Sequence, residues 1–442
     1  MVLLTLLAAL ISCAPRPLPA PDPLTPTDAP QTVSRRWKGP TVVAKARVIA
    51  VGDLLMHGMV QKSAALGNRL GAAGESLNHE GFPVLFEHVD DYLRSADLTF
   101  ANLETPVAPK ANKGTRQFVF NVSAAFLPAL QDVGFDVVSF ANNHVYDQGR
   151  DGFVETLDNL EGSKLTFVGA GRTCAQSQAP KMTETNGIKV AWLGASKVYN
   201  DNLNAAETEA CSFAYDRDKA LAAVKAARAA GAEIVIFSIH WGQEYKTAPS
   251  QAEVDDAHAL MDGGVDLIIG HHPHVLQPVE IYATPDGRRA VVAYSLGNFI
   301  SNQSAWYLFG TQQDHHGYTR DGLALQVDLV KKDYGPGPDG SPQVKVELAN
   351  VLGVPLWTDN NSKRQRRDPA HPHRAHRRGA QGHPGGVRGR ERLGEEPRAE
   401  AAHRAAQRPP RGDHRRRRRG AAAAAARVGR RDAAGSVHDR VA

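Results

Sequence analysis

The chain has 442 residues, with 52 Lys+Arg against 47 Asp+Glu and a formal net charge of +5. The average hides two opposed parts: Ser362 to Ala442 holds 23 basic and 8 acidic residues, which leaves 29 basic and 39 acidic before it. The body is acidic and the tail strongly basic, so the two need separate readings, and 442 residues suffice for one large domain or two ordinary ones.

Residues 1–13, MVLLTLLAALISC, carry an apolar run too short to cross a bilayer as a helix. Leu10-Ile11-Ser12-Cys13 resembles a bacterial lipoprotein box, in which the cysteine is acylated after cleavage in front of it, although no Lys or Arg precedes the run. Residues 14–45 follow as a Pro-rich tether, opening with APRPLPAPDPLTPTDAP, whose prolines make an extended spacer without core-forming residues. The expectation is a protein outside the cytoplasmic membrane, anchored through Cys13; cleavage of an ordinary signal peptide, giving a secreted protein, is the alternative. The other two cysteines, Cys174 and Cys211, form an even pair that an oxidising compartment allows to bridge, and the sequence leaves that pairing open.

From residue 46 strand and helix patterns alternate. ARVIAVGDLL is a β-branched run ending at Gly-Asp, and FPVLFEHVDDYLRSA has helical spacing. DLTFANLE predicts a second strand, SAAFLPALQDVG a helix with a Ser cap closed by Gly134, and FDVVSFANNH a third strand. The helix RDGFVETLDNLEGS, the strand IKVAWLGAS and the helix RDKALAAVKAARAAGA come next. EIVIFSIHWG, the helix SQAEVDDAHALMDGG and VDLIIGHHPH follow, and RAVVAYSLGNFI, LALQVDLVKK and QVKVELANVL read as later strands, some antiparallel. Alternation with no repeat period predicts an α/β domain over residues 46–361 with a largely parallel sheet.

Residues 362–442 contain RRRRRGAAAAAARVGRR and no Phe, Tyr or Trp. Such a segment buries too little apolar surface to offset its ordering entropy and is expected to be a disordered basic tail. Monotonous Arg, Ala, Gly, Pro and His are also what a GC-rich gene yields when its frame is shifted, and that is the favoured reading over a functional polycation. Nucleic acid is not expected as a partner, since an exported protein seldom meets it.

The strands turn polar at their carboxyl ends: Asp53, then Asn102 and Glu104, then Asn142, Asn143 and His144, then His240, then His271, His272 and His274. Ligand crevices of open α/β sheets lie at those ends. Carboxylates, an Asn carbonyl and imidazoles suit a divalent Mn, Zn or Fe ion, and the absence of Cys argues against a structural zinc site. One carboxylate shared by two ions would make a dinuclear centre. In ANNH, Asn143 suits a ligand and His144, off the metal, a general acid.

VGDLLMHG, ANLETPV, SFANNHVYDQG, SIHWGQEY, GHHPHVLQP and YSLGNFIS stand in the order and spacing of the CapA family, the poly-γ-glutamate capsule biosynthesis proteins also called PgsA, and residues 46–330 resemble it. That family is similar to the calcineurin-like metallophosphoesterases, which implies a four-layer α/β sandwich with mixed, largely parallel sheets. The resemblance implies Asp53 as the first-strand ligand, Glu104 in place of the bridging aspartate, Asn143 on metal, His144 as catalytic acid, His240 as ligand, and His272 and His274 as the closing pair. His271 is an alternative to His272. Two departures stand out: Leu55 occupies the place of a histidine ligand, with His57 two residues further on, and Glu104 is longer than the aspartate it replaces. Asn298 of SLGNF and Arg116 are candidate substrate contacts.

The function expected is capsule or poly-γ-glutamate synthesis or export outside the cytoplasm, with a metal-dependent phosphoester hydrolase-type site holding one or two ions. The partners implied are an anionic surface polymer or phosphorylated substrate, and membrane proteins of a polymer synthase or exporter. A secreted metallophosphatase or phosphodiesterase without a capsule role, and a non-catalytic scaffold of a synthase complex, are the alternatives.

Overall fold

A computed structural model describes residues 39–360, apart from Asn112 and Phe309, together with residues 373–377. The chain divides into two units at Leu393, and every described residue lies in the first. The lipoprotein box, Cys13 and most of the tether lie outside the described residues, as does the tail except for one strand.

β-Branched residues give β1 (Thr41–Leu54), which begins inside the stretch set apart by composition as tether because Thr41, Val42 and Ala44 have the chain of a later strand to pair with. α1 (Gly58–Leu66) follows. FPVLFEHVDDYLRSA is not the single helix its spacing predicts. Glu80 and Gly81 take positive φ and Pro83 interrupts, so a 3₁₀ stretch, His79–Phe86, precedes the one-turn α2 (Asp90–Leu93). The apolar positions still turn inward: Leu85, Phe86, Val89 and Leu93 are buried.

β2 (Leu98–Leu103), α3 (Phe126–Asp132), β3 (Val137–Ser139), α4 (Gly149–Glu161) and β4 (Thr166–Val168) come next. The N-cap of α3 is Ala125, not the expected serine; the Ser123 hydroxyl instead donates to Glu80. Gly134, at φ +102, closes the turn as its position suggested. Then follow β5 (Ala170–Gly171), α5 (Cys174–Gln178), β6 (Lys181–Thr185), β7 (Ile188–Ser196) and β8 (Cys211–Ser212). Cys174 and Cys211 are joined as a disulfide that ties α5 to β8.

α6 (Arg217–Ala229) starts at an Asp216 cap, and α7 (Gln251–Asp262) at a Ser250/Glu253 capping box. Between and after them run β9 (Ile234–His240), β10 (Leu267–His271), β11 (Val279–Ala283) and β12 (Arg289–Ala293). RAVVAYSLGNFI, expected as one strand, splits. Its end forms β13 (Asn298–Ile300) in the other sheet, turned there by Gly297 at φ +66, where a Cβ would stand 2.7 Å from Asp321 O. The hairpin β14 (Asp321–Pro336) and β15 (Pro342–Asn360) closes the domain, and residues 373–377 add β16 antiparallel to β15.

One sheet runs β16-β15-β14-β1-β2-β3-β4 with β13 also on β1; the other runs β11-β12-β10-β9-β7-β6. In the first, β1 to β4 are parallel and the β14–β15–β16 flank antiparallel; in the second, the central pairs are parallel and both edge strands antiparallel. Side chains alternate across β1. Val48 and Ala50 meet Trp192, Ile236 and Ile269 of the second sheet, whereas Ile49 and Val51 meet Leu85, Phe126 and Leu157 on the first sheet's other side. A third core packs α6 and α7 on the second sheet through Val224, Leu260 and Phe237. Three apolar layers between four layers of secondary structure make an α/β/β/α sandwich.

Candidate metal centre

The strands β2, β3, β9 and β10 are largely apolar up to their carboxyl ends, and there, with β1, the two sheets deliver their polar residues to one place. Asp53 sits near the end of β1, Cα-paired with Asn102 on one side and Asn298 on the other. Gly52 lets β1 approach this closely, since a Cβ there would collide with Gly297 O. Glu104 follows β2 directly, Asn142, Asn143 and His144 form the turn after β3, and His240 and His271 end β9 and β10 as Cα partners. A Cβ at Gly270 would run into Tyr294 O, which accounts for the glycine that opens GHHPHVLQP.

All of these side chains are buried. Asp53 Oδ1 accepts from Asn102 Nδ2 at 2.8 Å, and Oδ2 lies 3.0 Å from His274 Nδ1. Burial would raise the Asp53 carboxyl, but His271 and His274 more than offset it and hold it well below the usual carboxylate range. Glu104 goes the other way, pushed well above its ordinary value by burial and then by the charges of Asp53 and Glu244. Burial, with His272 beside it, holds His240 well below its ordinary value; burial likewise brings His272 down to about 4.

Two groups of potential ligands converge, one of Asp53, Glu104 and His240 and one of Glu104, His272 and His274, each with its ligand atoms within 4.8 Å of one another. Glu104 belongs to both. Its Oε1 stands 3.8 Å from His240 Nε2 and 3.7 Å from His274 Nε2, and it has no hydrogen-bond partner. His272 Nδ1 is a second orphaned buried atom. Buried acceptors without donors cost free energy unless something binds them, and carboxylate oxygens facing imidazole nitrogens form a donor set that fits a divalent cation. Asn143 Oδ1 joins this set 2.9 Å from His240 Nε2. His272 and His274 hold φ of 97° and 58°, a backbone strain of the kind that gathers at functional sites.

The remaining candidates fall around this cluster. His271 belongs to neither group; its Nδ1 lies 3.1 Å from Asp53 Oδ1 without hydrogen-bond geometry. Leu55 is buried. His57 stands outside both groups, with Nδ1 3.2 Å from Leu55 O and 3.3 Å from Asn302 N and its ring against Phe120. Asn298 is buried in the wall with its amide nitrogen bonded to Gln303 and Thr319 O, so only Oδ1 remains unpartnered. Arg116 is exposed on a tight turn with Val119, one residue before Phe120, whose ring packs 4.5 Å from that of His144. Cys13 lies outside the described residues.

Sequence inspection passed over Asp147. Its Oδ2 lies 2.9 Å from His144 Nδ1, so the imidazole donates there and its other nitrogen is left for a substrate. The signal was present as His-x-x-Asp, since a turn brings i and i+3 together. Asn200 was passed over as well; its Oδ1 accepts from Asn143 Nδ2 at 3.2 Å, a long-range contact with no local pattern.

Fold and site together define an α/β sandwich with a candidate metal centre at the carboxyl ends of two facing sheets. Residues 47–303 match the family described as "Bacterial capsule synthesis protein PGA_cap", and the chain belongs to that family. It is 30% identical over 266 residues to the capsule biosynthesis protein CapA of Bacillus anthracis, covering 59% of this chain and 60% of that protein. It is 30% identical over 288 residues to the PGA biosynthesis protein CapA of Bacillus subtilis, covering 64% of this chain and 68% of that one. Among solved structures, Haemophilus influenzae NAD nucleotidase overlays with a TM-score of 0.37 and 12% identity over 72% of this chain and 52% of that one, too loose a likeness to argue from.

Proposed function

We propose that this protein acts outside the cytoplasmic membrane in the synthesis or export of a capsule polymer, poly-γ-glutamate by the family's example, and that its centre hydrolyses a phosphoester with the help of one or two divalent ions. The observation that carries the metal reading is the sharing of buried Glu104, whose Oε1 has no hydrogen-bond partner, by two ligand groups. Asp53, Glu104, Asn143, His240, His272 and His274 would hold the metal, which supplies Lewis-acid activation of a phosphoryl oxygen when bound.

The chain's own residues supply the rest. Asp147 fixes the His144 tautomer with its proton on Nδ1, so Nε2 is the atom that exchanges a proton with the substrate. The partners proposed are the polymer or a phosphorylated precursor, and membrane components of its synthase or exporter. Anchoring through Cys13 is part of the same proposal.

The test is metal content of the full chain by elemental analysis, beside His240→Ala and His272→Ala. About two equivalents in the wild type, reduced in each variant, support the hydrolase and justify a phosphoester screen. A folded protein that takes up no added Mn, Zn or Fe leaves only the scaffold reading.

A further inference from the structure

Asn143 can serve a cation only through its carbonyl oxygen, because an amide NH₂ has no lone pair to give. Which end of that amide faces His240 is set from behind. The segment between β7 and β8 runs past the turn after β3. Lys197 N donates to His240 O at 2.8 Å, and Asn200 N donates to Asn143 O at 3.1 Å. The Asn200 side chain then accepts from Asn143 Nδ2 at 3.2 Å, and Asn143 Oδ1 is left beside His240 Nε2. Asn200 Nδ2 also approaches His144 Nδ1 at 3.3 Å, but that nitrogen carries its proton toward Asp147, so the approach is no hydrogen bond.

The segment is firmly fastened for an exposed one. Arg150 holds Leu203 O and Glu209, Tyr146 bonds Asn204, Cys174 N bonds Glu207 O, and the Cys174–Cys211 disulfide closes its far end. Two bonds to one residue, one main-chain and one side-chain, leave Asn143 little freedom to turn.

We propose that Asn200 is a positioning residue that locks the Asn143 amide with its carbonyl toward the metal centre. This rests on the metal reading above.

The test is calorimetric titration of Mn²⁺ into the metal-free full chain, following the binding event that His240→Ala abolishes. Asn200→Ala is expected to weaken that event about tenfold, as loss of a residue that orients a ligand does. Asn200→Asp, which can only accept, is expected to restore it. The same truncation in an Asn143→Asp background is expected to cost nothing, because a carboxylate offers oxygen at both ends. An equal loss in both backgrounds would reduce Asn200 to a prop for its segment and overturn the proposal, as would unchanged affinity in Asn200→Ala. Absence of any binding by the wild type overturns the metal reading itself, a result distinct from both.

Discussion

His144 and Asp147 meet Nδ1 to Oδ2 across 2.9 Å, with side chains only 6% and 5% exposed. The same Asp147 oxygen accepts the Phe120 backbone N–H at 2.6 Å, so the carboxylate is fixed from two directions and in turn fixes the imidazole. Asp147→Asn can present its NH₂ to Nδ1 and thereby favour the wrong tautomer. The expected outcome is a fall in kcat for phosphoester hydrolysis of about 10²- to 10⁴-fold, comparable to His144→Ala, with the double variant no worse than either single one. Additive losses in that cycle would show that the two residues do not act as a unit.

Glu104 stands in both ligand groups, whereas His240 and His272 each stand in one. Glu104→Gln removes the shared charge but keeps the shape. Elemental analysis should find both ions lost from Glu104→Gln, against one each from the histidine variants. Retention of a full equivalent in Glu104→Gln would mean that the glutamate does not bridge.

Asp256 on α7 is buried and accepts from Lys197 and Arg217. Burial alone would raise its carboxyl, but those two cations lower it below its ordinary value. A carboxyl depressed by folding stabilises the fold above the unfolded value, about 3.9, and that contribution is lost as pH falls through the lower folded value. Urea unfolding should therefore find Asp256→Asn less stable than wild type at pH 7, by on the order of 1 kcal/mol, with the gap closing below pH of about 3.9. A gap that persists undiminished there would assign the loss to packing rather than charge.

The Cys174–Cys211 bridge spans 37 residues. Chain-entropy reasoning gives such a loop about 3–4 kcal/mol, so Cys174→Ser with Cys211→Ser should lower the free energy of unfolding by up to that amount. Thiol titration of the unfolded, unreduced wild type should detect neither cysteine. Two reactive thiols there would place the folded chain in a reducing compartment and count against export.

The layered α/β fold was legible because its strands are long apolar runs ending in polar residues, and IKVAWLGAS or EIVIFSIHWG can be little else. The stretch around Pro83 was not, since helical spacing of buried residues survives in a 3₁₀ path that a positive-φ Glu80–Gly81 pair bends. Nor was the passage of RAVVAYSLGNFI from one sheet to the other, which hinges on Gly297 and on a contact with Asp321 far along the chain. The strand-end residues announced themselves by type. What lies behind them did so only where a local spacing existed, as in His144-x-x-Asp147; Asn200 reaches Asn143 across 57 residues and leaves no such trace.

Asp53, Glu104 and Asn143 lie at or just beyond strand ends of one sheet, and His240, His272 and His274 at or just beyond strand ends of the other. The centre is thus a rivet through two plates, complete only when the plates are aligned. A slip of one sheet by a single residue, about 3.3 Å, would part the carboxylates from the imidazoles. The inter-sheet packing, such as Phe100 stacked on Trp192 at 5.6 Å, is what holds the two halves of the candidate ligand set in register. A bound ion should in turn stiffen the whole sandwich against sliding.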